Sequence, residues 1–191
     1  MKKILFVVLG MLLMFGTLAN AAVTTDVIQY PTGYFVDVDA NKYDSPYYRW
    51  YGDDWGWTHN AIGGSITSAT LNISAFDVDY SYGERDAIYA YDDGTKTLLG
   101  YLAGGNDIWS YTTFALGASF YNDIASGLMV WMEIDSTDDG WAVTLAKSAL
   151  SIDGGTLPNP NPNPVPEPAT LLLFGVGLVG VGIARRLRRQ A

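Results

Sequence analysis

SATLNISAFDV, residues 68–78, carries the clearest β-strand pattern in this 191-residue sequence. Its apolar and polar positions alternate, with Ala69, Leu71, Ile73 and Ala75 set against Thr70, Asn72 and Ser74. A period of two is typical of a strand that buries one face. Similar runs recur at 109–116, 127–135 and 141–147, and residues 86–102 form a hairpin pattern with its turn at Asp92-Asp93-Gly94. Short strands without intervening amphipathic helices predict an all-β fold, an antiparallel β-sandwich with jelly-roll-like topology.

The N-terminus has the order of a secretory signal. A positively charged start, MKK, precedes an apolar stretch over residues 4–18, and Ala-Asn-Ala follows at 19–21 as a cleavage signal. This order predicts a signal peptide over residues 1–21, and an uncleaved anchor is the alternative. Residues 22–156 are then expected to form an exported domain.

The C-terminal apolar run covers residues 169–184 and is followed by four arginines, Arg185, Arg186, Arg188 and Arg189. A helix of this length measures about 24 Å, which is shorter than the ~30 Å hydrocarbon core of a bilayer. It can span only if Glu167 and Arg185 lie at the headgroups. Clustered arginines mark the cytoplasmic side. We predict a single transmembrane helix with an Arg-rich cytoplasmic tail over residues 169–191, and a buried core helix is the alternative.

Residues 157–168, between the domain and this run, read LPNPNPNPVPEP. Alternating prolines favour an extended polyproline backbone and cannot donate to a β-ladder. Twelve such residues reach roughly 37 Å. The pattern predicts a spacer that holds the exported domain away from the membrane.

The sorting elements of the tail occur in a fixed order: Pro166, Glu167 and Pro168, then the apolar run, then the arginine cluster. Residues 165–191 thereby resemble the PEP-CTERM sorting signal of Gram-negative bacteria that make exopolysaccharide. The resemblance implies processing near this motif by exosortase, a transpeptidase-like membrane enzyme. It also implies export through the inner membrane, transient anchoring, and delivery to the cell surface or extracellular matrix.

The exported domain resembles a β-sandwich module of unknown function that occurs in such proteins. The stretches that carry this resemblance are DWGWTHN (54–60), LNISAFDVDYSYGERDAIYAY (71–91), LLGYLAGGNDIWSYTTFAL (98–116) and WAVTLAKSAL (141–150). The resemblance implies no activity.

Charge is distributed unevenly along the chain. All 20 acidic residues lie within residues 22–168, which contain only five basic residues, so this part carries a formal charge of −15 against −9 for the whole chain. Such a surface repels nucleic acid, and we expect no nucleic-acid partner. The sequence has no cysteine, and a domain of this size buries enough core to do without disulfides.

DVDYSYGERD, residues 77–86, holds the densest group of acids. Asp77 and Asp79 are two residues apart at a strand end and can share one face, while Glu84 and Asp86 follow a glycine-containing turn. Ca²⁺ takes six to eight oxygen ligands, many of them from carboxylates. These four residues are therefore a candidate calcium site, with calcium the one cofactor expected. The alternative is a solvated loop in which Arg85 neutralises a neighbouring acid.

YYRWYGDDWGWTHN, residues 47–60, mixes six aromatic residues with Gly and Asp, which predicts a loop. Exposed rings of Trp50, Trp55 and Trp57 would stack on sugars, so these residues are candidate contacts for an exopolysaccharide. We favour the alternative, in which the rings seal one end of the sandwich and His59 is hydrogen-bonded locally.

Signals for catalysis are sparse. His59 is the only histidine, and no G-x-S-x-G elbow surrounds a serine. Aspartates are plentiful, but abundance does not make the pair of spaced carboxylates that a glycosidase needs. The leading hypothesis is a non-enzymatic structural or adhesive component of the cell envelope or exopolysaccharide matrix. A carbohydrate-binding module is the alternative, and a glycan-active hydrolase is the least favoured.

Overall fold

The computed structural model describes residues 24–137 and 140–162, which contain nine β-strands and one short α-helix. The strands are β1 (Thr25–Gln29), β2 (Arg49–Trp50), β3 (Trp55–Thr58), β4 (Ala69–Phe76), β5 (Ala87–Asp92), β6 (Thr95–Tyr101), β7 (Trp109–Leu116), β8 (Met129–Glu133) and β9 (Ala142–Ile152). The helix α1 is Tyr121–Ser126, and single 3-10 turns lie at Asp39–Asn41, Tyr80–Tyr82 and Ala118–Phe120. The prediction of a mostly β fold is confirmed.

The strands form two antiparallel sheets. One has the order β1-β9-β4-β7, with β2 paired to the start of β9, and the other has the order β3-β8-β5-β6. Among these pairs, only β5 and β6 are consecutive in sequence. When the two-residue β2 is set aside, all connections except the β5–β6 hairpin pass from one sheet to the other. This is the connectivity of a jelly roll.

The core lies between the inward faces of the two sheets. Leu71 and Ile73 of β4 are fully buried there, as the alternation in residues 68–78 predicts. Val130 and Met132 of β8 come from the opposite sheet and belong to the same cluster. Burying each such side chain contributes roughly 1.5–3 kcal/mol, so this alternation fixes which face of each strand turns inward.

The hairpin between β5 and β6 turns on two residues with positive φ, Asp93 at 48° and Gly94 at 79°. Two consecutive left-handed residues suit a two-residue hairpin, because their twist matches that of the flanking strands. Asp92 pairs with Thr95 across this turn. The turn predicted at Asp92-Asp93-Gly94 is confirmed.

Residues 47–60 are not a loop throughout, since they contain β2 and β3. Trp55 and Trp57 of β3 alternate with Gly56, so both rings point to the core. A Cβ on Gly56 would lie 2.7 Å from the Val130 carbonyl oxygen and 2.8 Å from the Trp131 ring, so only glycine fits there. The Trp-Gly-Trp sequence therefore belongs to a strand packed closely on β8.

The outer face of the five-stranded sheet is covered as well, and every residue of β9 is buried. Thr144 donates through Oγ1 to the Lys42 carbonyl, and the Lys42 ammonium lies 4.5 Å from the centre of the Phe76 ring. Ser74 donates through Oγ to the Pro160 carbonyl at 2.6 Å. Residues 157–162 of the predicted spacer therefore pack against the sheet.

The predicted signal peptide (1–21) and transmembrane helix (169–184) lie outside the described residues. Within residues 24–137 and 140–162, no helix is long and apolar enough to cross a membrane.

Candidate functional sites

The acidic loop 77–86 connects β4 to β5. The 3-10 turn at Tyr80–Tyr82 and Gly83, with φ of 121°, reverse the chain so that Glu84 returns to the start of the turn. There the Asp79 backbone N–H donates to the Glu84 carboxylate. Asp86 interacts directly with Glu84. The structure thus brings together three of the four residues of the candidate calcium site.

These acids are not solvated. The exposed fractions are 8% for Asp79, 1% for Glu84 and 0% for Asp86. Arg85 does not neutralise them, because its guanidinium donates to the carbonyl oxygens of Tyr80 and Glu84 and stacks 4.1 Å from the Tyr80 ring centre. The interpretation as a solvated loop neutralised by Arg85 is therefore wrong.

Burial raises the pKa of Glu84 to about 9, and the negative charge of Asp86 acts in the same direction. Burial also raises the pKa of Asp86, to about 6, although the Asp135 backbone N–H donates to its Oδ1 at 2.9 Å and opposes that rise. The pKa of Asp79 is raised by burial and by the charges of Asp77 and Asp107. Burial and mutual repulsion raise the pKa of both carboxyls, so the folded state favours a Glu84–Asp86 pair that keeps a proton.

Three buried oxygens of this cluster, Asp79 Oδ1, Glu84 Oε1 and Asp86 Oδ2, have no hydrogen-bond partner. A proton shared between Glu84 and Asp86 gives both groups a partner that two bare carboxylates lack. Across the described part of the chain, no three His, Asp or Glu side chains are grouped so that they could hold a metal ion. Calcium binding at these residues stays a prediction, and it requires the carboxylates to move.

Asp77, the fourth predicted ligand, belongs to a different set of contacts. Its carboxylate accepts hydrogen bonds from the Tyr48 hydroxyl at 3.1 Å and from the Asp107 backbone N–H at 3.0 Å. Asp77 and Asp107 both have left-handed φ, at 64° and 58°. Asp107 in turn accepts a hydrogen bond from the Tyr43 hydroxyl, which raises the pKa of Tyr43 to about 12. This pair of aspartates fixes the orientation of two tyrosine rings.

Two of the three candidate glycan contacts are in the core. Trp55 and Trp57 are 6% and 5% exposed and pack on Phe35, with ring centres 4.9 and 5.3 Å away. Stacking on a sugar needs an open ring face, so the prediction of Trp55 and Trp57 as glycan contacts is wrong. Trp50 is different, because half of its surface is exposed.

Trp50 ends a continuous row of aromatic rings, which we call the aromatic row: Trp50, Tyr48, Tyr43, Phe76 and Trp109. Successive ring centres are 5.2–5.7 Å apart. Tyr43 and Trp50 are each 51% exposed. The Trp109 indole N–H donates to Asp39 at 2.7 Å. Aspartates thus hold the polar edges of the row while several ring surfaces face solvent.

His59 is buried between the sheets and bridges two residues that sequence reasoning missed. Its Nδ1 lies 2.8 Å from Asp26 Oδ2, and its Nε2 lies 2.8 Å from Ser148 Oγ. Burial alone would raise the pKa of Asp26, but hydrogen bonds from His59 and Asn60 lower it. The order of groups is that of a catalytic triad, but Ser148 is fully buried. The geometry supports local hydrogen bonding of His59.

Three comparisons with known proteins bear on the chain. The family model of the PEP-CTERM protein-sorting motif matches residues 164–189. This chain carries a PEP-CTERM sorting motif. The motif marks an exported protein that is anchored transiently at the membrane, processed by an exosortase and sorted to the cell surface.

A search of curated proteins gives no significant match. Among solved structures, the chain is similar to the coat protein of Tobacco streak virus, with 14% identity and a TM-score of 0.29 over 74% of this chain and 94% of the coat protein. A likeness at that score carries no argument about function.

Proposed function

We propose that this PEP-CTERM protein is a non-enzymatic structural or adhesive component of the cell envelope or exopolysaccharide matrix. The observation that carries the proposal is the sorting motif at residues 164–189, which directs an exported domain to the cell surface. The predicted sorting signal comprises Pro166, Glu167 and Pro168, the apolar run of residues 169–184 and the arginine cluster (Arg185, Arg186, Arg188, Arg189). Burial of Ser148 beside His59 supports a role without catalysis.

The sorting step is tested in a bacterium that carries exosortase. Glu167→Gln, or deletion of the four arginines, should leave an uncleaved chain in the inner-membrane fraction, while the folded domain keeps its melting temperature. Glu133→Gln is the matched control, because Glu133 is a glutamate of β8 outside the motif. Mature protein at the surface that still carries its Arg-rich tail, measured by intact mass, would contradict cleavage.

A carbohydrate-binding module is the second candidate, and the exposed end of the aromatic row favours it. Trp50 and Tyr43 each expose half of their surface for stacking on a sugar, and the Asp107 carboxylate beside Tyr43 is a hydrogen-bond acceptor. The high negative charge of the exported part favours a neutral polymer over an anionic one.

Binding is measured as retention on a column of host exopolysaccharide. Removing one stacking ring costs about 1–3 kcal/mol, so Trp50→Ala should weaken binding roughly 5- to 150-fold. Tyr101→Ala is the control, since Tyr101 is an exposed aromatic residue of β6 outside the row. Equal retention of both variants would argue against this face, and no retention of the wild-type protein would argue against the module.

A further inference from the structure

Residues 157–162, LPNPNP, cross the outer face of the five-stranded sheet from one edge to the other. The Pro158 carbonyl accepts a hydrogen bond from the Tyr111 hydroxyl at 3.2 Å on β7. The Pro160 carbonyl accepts one from Ser74 Oγ at 2.6 Å on β4. Pro162 then lies beside Gln29, the last residue of β1.

The partners of these prolines form one row across the strands. Tyr111 pairs with Ser74, Ser74 with Lys147, and Lys147 with Gln29. Strands lie ~4.8 Å apart, so this row spans about 14 Å from β7 to β1. The segment bends at residues 160–162, where the Asn161 backbone N–H donates to Asn159 Oδ1 at 2.9 Å. Its contacts nevertheless run from β7 to the end of β1.

The segment has a buried side and an exposed side. Pro158 and Pro160 are half-buried and Pro162 is buried, whereas Asn159 and Asn161 are exposed. Proline has no N–H, so packing its ring on the sheet leaves no backbone donor unpaired. Beneath the segment, Ser74 is 0% and Lys147 3% exposed. Along this segment the prolines thus lie towards the sheet and the asparagines towards solvent.

We propose that residues 157–162 are a strap that belongs to the folded domain and fixes the sorting signal at the end of β1. The segment that covers the outer sheet face is therefore part of the same chain. Its effect on sorting rests on the proposed function, in which exosortase processes the tail. Pro166 follows Pro162 by four positions, a reach of about 12 Å as polyproline backbone, whereas all twelve residues of 157–168, if free, would reach roughly 37 Å. The strap therefore limits how far from the domain the cleavage motif can lie when exosortase acts on it.

Docking of the strap is tested by thiol labelling of the full chain, which has no native cysteine. Ser74→Cys places one thiol under the strap, and Thr95→Cys places one on the exposed strand β6. A soluble maleimide should label position 74 at least ~10-fold more slowly than position 95, because the strap must open first. Replacing Pro158, Pro160 and Pro162 by Ser should remove most of that difference. Replacing Asn159 and Asn161 by Ser is the matched control and should preserve it.

Equal labelling of the two thiols with the native strap would overturn the proposal, as would protection that survives the triple proline substitution. Protection that disappears on dilution of a dimer would show that a second copy supplies the segment, which also overturns it.

The effect on sorting is tested by pulse-chase measurement of tail removal in the exosortase-bearing host. Inserting Asn-Pro-Asn-Pro after Pro162 lengthens the tether to about 25 Å. This insertion and the triple proline substitution should both shorten the lifetime of the precursor at least ~2-fold, because the motif gains clearance from the domain. Identical lifetimes would refute the short tether. If even the wild-type tail is never removed, the sorting proposal fails, and the labelling result alone decides whether the strap exists.

Discussion

The buried carboxyl pair predicts that this domain loses stability as the pH rises through neutrality. Glu84 and Asp86 are 1% and 0% exposed and have no cationic partner among the described contacts. Burial raises the pKa of Glu84 to about 9, whereas a glutamate in an unfolded chain titrates near its ordinary value of 4.5. Between these two pH values the folded state binds a proton that the unfolded state has released.

The sign and size of the effect follow from proton linkage. With one more proton bound in the folded state, the free energy of unfolding falls by about 1.4 kcal/mol for each pH unit, or roughly 3 kcal/mol from pH 6 to pH 8. Glu133 behaves in the opposite way, because the hydrogen bond from Lys96 lowers its pKa and any stability it adds is lost only in acid. Glu133 should therefore contribute nothing to the slope above pH 6.

The assay is urea unfolding of residues 22–162 at pH 6, 7 and 8 with tryptophan fluorescence. The wild-type protein should show the falling slope, and Glu84→Gln should remove most of it, because the neutral amide cannot ionise. Glu133→Gln, the matched control, should keep the wild-type slope. A wild-type stability that is flat or rises between pH 6 and pH 8 would refute the buried, protonated pair.

Two further predictions concern the acidic cluster and the interior. Calcium should raise the melting temperature more at pH 8 than at pH 6, because the ion replaces the shared proton. Magnesium should raise it less. Asp79→Ala should remove the rise, and the exposed control Asp44→Ala should keep it. Identical curves with calcium and chelator would refute calcium binding. His59→Ala should cost about 3 kcal/mol of unfolding free energy, because it leaves a cavity and unpaired groups on Asp26 and Ser148; a loss below about 1 kcal/mol by urea unfolding would contradict that bridging role.

Features of the fold that depend only on residues close together in the sequence could be predicted. The alternation through Leu71 and Ile73 fixed the inward face of β4, and Asp93-Gly94 indicated a hairpin because both positions need positive φ. The sorting motif could also be identified, because its parts are contiguous in the chain. None of these features needs a partner distant in sequence.

The candidate sites depended on such partners, so the sequence alone left their surroundings open. In the aromatic stretch it did not decide whether Trp55 and Trp57 are exposed or packed, and β8 and Phe35 cover both. Glu84 and Asp86 follow a polar turn in the sequence, and only the fold buries them, beside the backbone N–H groups of Asp79 and Asp135. No local pattern marks Asp26 and Ser148 as the partners of His59, because they are brought together only when β1 pairs with β9.

The Pro-Asn segment, residues 157–162, shows most directly what the sequence determines and what depends on tertiary packing. From its sequence, residues 157–162 cannot join a β-ladder, and that part of the expectation stands because proline has no N–H to donate. Whether such a segment stays free depends on the surface it meets. Here Tyr111 and Ser74, on the outer face of the five-stranded sheet, donate hydroxyl hydrogen bonds to proline carbonyls of the segment. Local chemistry determined what the prolines cannot do, and tertiary packing decided where they lie, because burial is set by residues far apart in the chain.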